Sequence, residues 1–129
     1  MARRASTRPT DTELEILRVL WEIGPSTAGA VREVIARTRP IGYTTVQKML
    51  QIMTEKRLVS VDKSQRPHVF SPREDKSTVV GRMVSDLVRR ALDGSNSQLL
   101  QHALDGRPAK PEELEEMRRL IDELERKQG

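Results

Sequence analysis

The chain has 129 residues, of which 36% are apolar, 33% charged and only 2% aromatic. That length excludes a large multidomain enzyme, and a core drawn from Leu, Ile, Val, Met and Ala favours helices over a β-sandwich. The net charge of +4 is unevenly divided: residues 1–73 hold 13 Lys or Arg against 7 Asp or Glu, and residues 74–129 hold 10 against 12. This suggests a basic, polyanion-binding front half joined to an acidic, protein-binding back half.

Residues 1–9 read as a flexible basic arm, whose Arg3, Arg4 and Arg8 are suited to a minor groove. Thr10-Asp11-Thr12-Glu13 is a capping box, in which a hydroxyl and a carboxylate satisfy each other's free backbone amides, so a helix is expected to start there. Leu14, Leu17, Leu20 and Trp21 follow at helical spacing with Ile16 and Ile23 beside them, and Gly24-Pro25 ends the pattern. Trp21 is expected in the core. Ser26 or Thr27 caps a second helix with Val31, Val34 and Ile35 on its inner face, closed by the loop Arg37-Thr38-Arg39-Pro40.

The third helix is predicted from about Tyr43 to Lys56, with Gly42 at its cap. At about 100° per residue, Val46, Met49, Leu50 and Met53 form one apolar stripe, and Thr44, Gln47, Lys48 and Gln51 lie opposite, within about 60° of Thr44. These four carry hydroxyl, amide and ammonium groups and no carboxylate. They suit a groove edge, because Gln pairs bidentately with adenine, Thr offers a hydroxyl and a methyl, and Lys reaches guanine or phosphate. Two short strands then read as a hairpin, Leu58-Val59-Ser60-Val61-Asp62 and His68-Val69-Phe70-Ser71. Their connection, Lys63-Ser64-Gln65-Arg66-Pro67, holds two cations and no acid, which suits a phosphate backbone or a minor groove. Three helices and a basic hairpin describe a winged helix-turn-helix over residues 10–73, with Tyr43, Thr44, Gln47, Lys48, Gln51, Lys63 and Arg66 as the expected DNA-binding residues.

Residues 74–129 read as a helical dimerisation region. Val80, Met83, Val84, Leu87, Val88 and Ala91 form one stripe, Leu99, Leu100, Ala103 and Leu104 a second, and Leu114, Met117, Leu120, Ile121 and Leu124 a third. Asp93-Gly94-Ser95 and Asp105-Gly106-Arg107-Pro108 separate them, and Pro111 suits a first helical turn. Glu112, Glu113, Glu115 and Glu116 near the start of the last helix and Arg126 and Lys127 near its end complement its dipole. Glu115 to Arg119, Asp122 to Arg126 and Glu123 to Lys127 are spaced for ion pairs. The stripes at Val80, Met83, Val84, Leu87, Val88, Leu99, Leu100, Leu114, Met117, Leu120, Ile121 and Leu124 need a cover. A second copy of the chain is the expected one, because two reading heads restrict a genome better than one.

Cys is absent, which removes disulfides, thiolate metal sites and a cysteine nucleophile, and His68 and His102 are the only imidazoles. No nucleophile and base pair and no phosphate loop can be recognised, so no enzymatic activity, metal or cofactor is expected. No apolar run approaches the ~20 residues that span a bilayer. A cytoplasmic protein without membrane association is expected.

The sequence resembles the penicillinase-repressor (BlaI/MecI/CopY) family of bacterial transcription regulators. The resemblance is carried by Leu20-Trp21-Glu22-Ile23-Gly24-Pro25, by Thr44-Thr45-Val46-Gln47 with Met49-Leu50, by Glu55-Lys56-Arg57-Leu58, and by Arg66 followed by Phe70-Ser71-Pro72. It implies a homodimeric winged-helix repressor whose third helix reads an inverted-repeat operator through the matching positions Thr44, Thr45, Gln47 and Lys48, which adds Thr45 to the expected DNA-binding residues. Two further readings belong to other classes: a ligand-responsive regulator of the MarR type, and a winged-helix module that binds another protein.

The implied partners are double-stranded DNA and a second copy of the chain, together with a sensor protease or a small-molecule inducer. Three departures from the family pattern stand out. Arg57 occupies the place of a Gly after the third helix, and Ile52 that of an Arg. His102-Ala103 stands where antibiotic-responsive members have the Asn-Phe bond that their protease cuts. Copper sensing is excluded, because the copper-responsive members use cysteines.

Overall fold

The computed structural model describes residues 8–129, so Arg3 and Arg4 of the expected arm lie outside the described residues. In chain order the elements are α1 (Asp11–Ile23), β1 (Ser26–Thr27), α2 (Ala28–Ala36), α3 (Tyr43–Glu55), β2 (Val59–Asp62), β3 (Val69–Pro72), α4 (Lys76–Ala91), α5 (Asn96–Gly106) and α6 (Pro111–Gln128). The described chain divides into two compact units, one ending at Met83 and the other running from Val84 to Gly129.

The first unit is a winged helix-turn-helix. The capping box at the start of α1 forms as expected: the Thr10 hydroxyl accepts from the Glu13 amide at 3.3 Å, and the Glu13 carboxylate accepts from the Thr10 amide at 2.9 Å. Gly24 ends α1 at φ +86, a conformation open to glycine and costly for other residues. Thr27 caps α2 by accepting from the Ala30 amide at 3.2 Å. Ser26 and Thr27 also form a short strand the sequence did not announce, paired antiparallel with β3 in the order β1-β3-β2. Two residues are too few to alternate, so β1 exists only because β3 offers it a free edge.

The core is the aliphatic one that composition demanded. Ile16, Leu17 and Leu20 of α1, Val31 of α2, Val46, Leu50 and Met53 of α3, and Val59 of β2 are essentially sealed from water. Each such side chain contributes about 1.5 to 3 kcal/mol by burial. The burial of Val46, Leu50 and Met53 fixes the rotation of α3 and turns the opposite face outward. Trp21 departs from expectation: it is half-buried against the core and its indole Nε1 donates to the Glu74 carbonyl at 3.0 Å. An indole has an apolar body and one obligatory donor, so a position at the core's margin satisfies both.

Arg57 follows α3 at φ +62, in the left-handed region. Its backbone adopts the conformation that a glycine takes at a helix end, at a cost of roughly 1 to 2 kcal/mol for a side-chain-bearing residue. The turn is therefore preserved, and strain is accepted in it. The Leu58 amide donates to the Met53 carbonyl at 2.9 Å across this turn, which closes the end of α3 and starts the wing.

In the second unit, Val88 is the one buried residue among those described. Ser95 caps α5 by accepting from the Gln98 amide at 3.1 Å, after a turn in which Asp93 and Gly94 both have positive φ. Neither α5 nor α6 has a buried residue. Leu99, Leu114 and Met117 are half-covered, while Val84, Leu87, Leu100, Leu120, Ile121 and Leu124 are exposed. The expected pairing of Glu115 with Arg119 is replaced by a contact to Arg118 at 3.2 Å, one residue nearer on the helix. The other two expected pairs on α6 do not form among the described residues. Asp86 instead pairs with Arg89 at 2.6 Å and Arg90 at 3.5 Å on α4.

Candidate nucleic-acid interface

Between the outward face of α3 and the wing lies a cleft of about 680 Å³. Tyr43, Thr44, Gln47, Lys48 and Gln51 line one wall, and Lys63 of the wing stands on the other. Six of the eight expected DNA-binding residues thus meet around one concavity. The remaining two, Thr45 and Arg66, are exposed but lie outside its lining. Thr45 is about 100° round the helix from Thr44, which turns it off this wall.

The turn between α2 and α3 is held from two sides. Arg32 of α2 donates through Nε to the Ile41 carbonyl at 3.0 Å. Arg39 forks onto Glu15 of α1, with Nη2 at 2.6 Å and Nε at 3.2 Å from its oxygens. The Arg39 hydrogen bonds hold the Glu15 carboxyl below the usual carboxylate range. The far end of α3 is held more deeply. The Lys56 ammonium sits 2.6 Å from the Glu13 carboxylate, with the two side chains only 13% and 2% exposed. These ties set the pitch of α3, and the cations of the cleft stay out of them. Lys48, Lys63 and Arg66 have no carboxylate partner among the described residues.

The wing tip is ordered around one acid. Asp62 accepts from the Ser64 hydroxyl at 2.6 Å, the Ser64 amide at 2.9 Å and the Gln65 side-chain amide at 3.0 Å. Those bonds, with a smaller contribution from the charge of His68, hold the Asp62 carboxyl below its ordinary range.

Residues 9–123 match the family described as penicillinase repressor. The chain belongs to the penicillinase repressor family. Among its relatives, the transcriptional regulator BlaI of Mycobacterium tuberculosis is 31% identical over 125 residues, which cover 95% of this chain and 89% of that protein. The penicillinase repressor of Bacillus licheniformis is 23% identical over 114 residues, covering 88% of this chain and 89% of its own length. The fold and the family agree with the resemblance read from the sequence.

In this penicillinase repressor family member, sequence reasoning missed several residues of the cleft. Thr54 and Glu55 extend the α3 wall, while Ala28, Val61, Pro67, His68 and Phe70 supply the rest of the lining. The signal for Glu55 was present: continuing the helical wheel one more turn places it about 20° from Thr44. The face is therefore not free of carboxylates, and its acid stands at the C-terminal end of α3. No comparable signal existed for Ala28, which reaches the cleft only because α2 packs on α3.

Proposed function

We propose that this member of a transcriptional repressor family binds operator DNA as a homodimer. Each α3 lies in a major groove, and each wing lies along the adjacent backbone of an inverted repeat. The observation that carries the reading is the α3 cleft, where the hydrogen-bonding side chains of α3 meet Lys48 and Lys63, cations without a carboxylate partner among the described residues. Thr44, Thr45, Gln47 and Gln51 are assigned to base edges, Lys48 to guanine or phosphate, and Tyr43, Lys63 and Arg66 to the backbone. No enzymatic step is assigned to the chain. The same reading places the chain with its DNA in the cytoplasm; among the described residues no helix is long and apolar enough to cross a membrane.

The dimer rests on the second unit. A helical region with almost nothing buried does not offset its own conformational entropy, and its exposed Val84, Leu87, Leu100, Leu120, Ile121 and Leu124 supply the apolar area that a second copy would cover. We assign the expected dimerisation stripe of residues 74–129 to that role. Release of the operator belongs to a signal acting on the dimer, through a small-molecule inducer or a protease.

Duplex binding measured against salt tests the interface. Log affinity should fall steeply with log salt for the wild type, and Lys48→Ala should weaken binding and reduce the slope by about one, with dimerisation unchanged. A protein-binding module would show neither the slope nor the loss.

A further inference from the structure

The expected wing loop, residues 63–67, contains no acid, yet its ordering depends on one. Asp62 ends β2, and its two carboxylate oxygens collect three donors from two residues of the loop, Ser64 and Gln65. A carboxylate at a surface meant for phosphates works against attraction, so charge alone does not account for it. Geometry does. The Ser64 and Gln65 side chains are turned back onto Asp62, and the two cations of the loop, Lys63 and Arg66, are exposed without an acid partner among the described residues. We propose that Asp62 is a positioning residue of the DNA interface, folding the wing tip so that Lys63 and Arg66 face the phosphate backbone. The inference rests on the reading of this cleft as a DNA interface and adds a residue outside the cleft's lining.

The sign of one substitution separates positioning from simple electrostatics. Asp62→Ala removes a negative charge beside a polyanion, so electrostatics alone predicts tighter binding. Loss of the wing's geometry predicts weaker binding. Asp62→Asn keeps an oxygen for Ser64, and the Gln65 amide can turn to offer its carbonyl to the new NH₂ group. The probe is one fixed-sequence duplex spanning several helical turns, titrated at a series of salt concentrations with the full chain.

Asp62→Ala should bind about fivefold more weakly than wild type, with a salt slope smaller by about one. Asp62→Asn should bind within about twofold of wild type or more tightly. Without DNA, the Ser64 amide should exchange faster in Asp62→Ala and near the wild-type rate in Asp62→Asn. Equal or tighter binding by Asp62→Ala, or an unchanged Ser64 exchange rate, overturns the positioning role while leaving the DNA interface standing. A wild-type chain that does not hold the duplex at any salt concentration overturns the DNA interface, and the role of Asp62 with it.

Discussion

Lys56→Met is expected to destabilise the winged-helix unit by about 3 to 5 kcal/mol, a large part of the roughly 5 to 15 kcal/mol that holds a typical domain together. The cause is the group left behind. Glu13 is buried, and its Oε1 receives both the Lys56 ammonium at 2.6 Å and the Thr10 amide at 2.9 Å. Without the ammonium, a carboxylate in the interior keeps one neutral donor and loses its compensating charge. Lys56 also donates to the Arg8 carbonyl at 3.4 Å, so the chain entering α1 loses a tie as well. Denaturant unfolding measures the effect, and the double variant Glu13→Gln with Lys56→Met should recover most of the loss, because it removes both charges together. A cost below about 1 kcal/mol for Lys56→Met would show that the pair is only a surface contact.

Ile121→Glu combined with Leu124→Glu is expected to convert the proposed dimer to a monomer and to weaken operator binding by about 100-fold or more. In the single chain these residues are 47% and 56% exposed, and substitutions at such sites ordinarily change stability by less than about 0.5 kcal/mol. Their large effect arises only if a second copy covers them. Two acids placed into that interface are desolvated without partners, and the monomer then loses the gain of engaging two half-sites at once, which is about 10² to 10⁴ in avidity. Sedimentation and duplex titration read the two consequences separately. A variant that stays dimeric would relocate the interface to another part of the stripe.

What was legible in the sequence was mostly local. The Thr10 to Glu13 capping box, the Gly24 stop, the cap at Ser26 or Thr27 and the break at Asp93-Gly94-Ser95 each lie within a few residues, and a short-range rule finds them. The rotation of α3 was also legible, because the spacing of Val46, Leu50 and Met53 defines a buried stripe and its opposite face follows. The Glu13 to Lys56 pair spans 43 residues, and nothing in either neighbourhood announces it. The same holds for β1, which depends on the free edge of β3, and for Trp21, whose donor finds a carbonyl 53 residues away. Asp62 is intermediate. It stood at the end of a predicted strand, but its role appears only when the loop closes over it. Arg57 was visible as an anomaly, and the structure shows its resolution in a strained turn.

The most direct measurement is selection of bound duplexes from a random pool by the wild-type chain and by Gln47→Ala. If the outward face of α3 reads bases, the wild type recovers an inverted repeat. Gln47→Ala then recovers the same repeat with preference relaxed at one symmetry-related pair of positions, each worth about 1 to 3 kcal/mol. Recovery of no preferred sequence by the wild type, or of an identical preference at every position by Gln47→Ala, would contradict the assignment of this face to DNA.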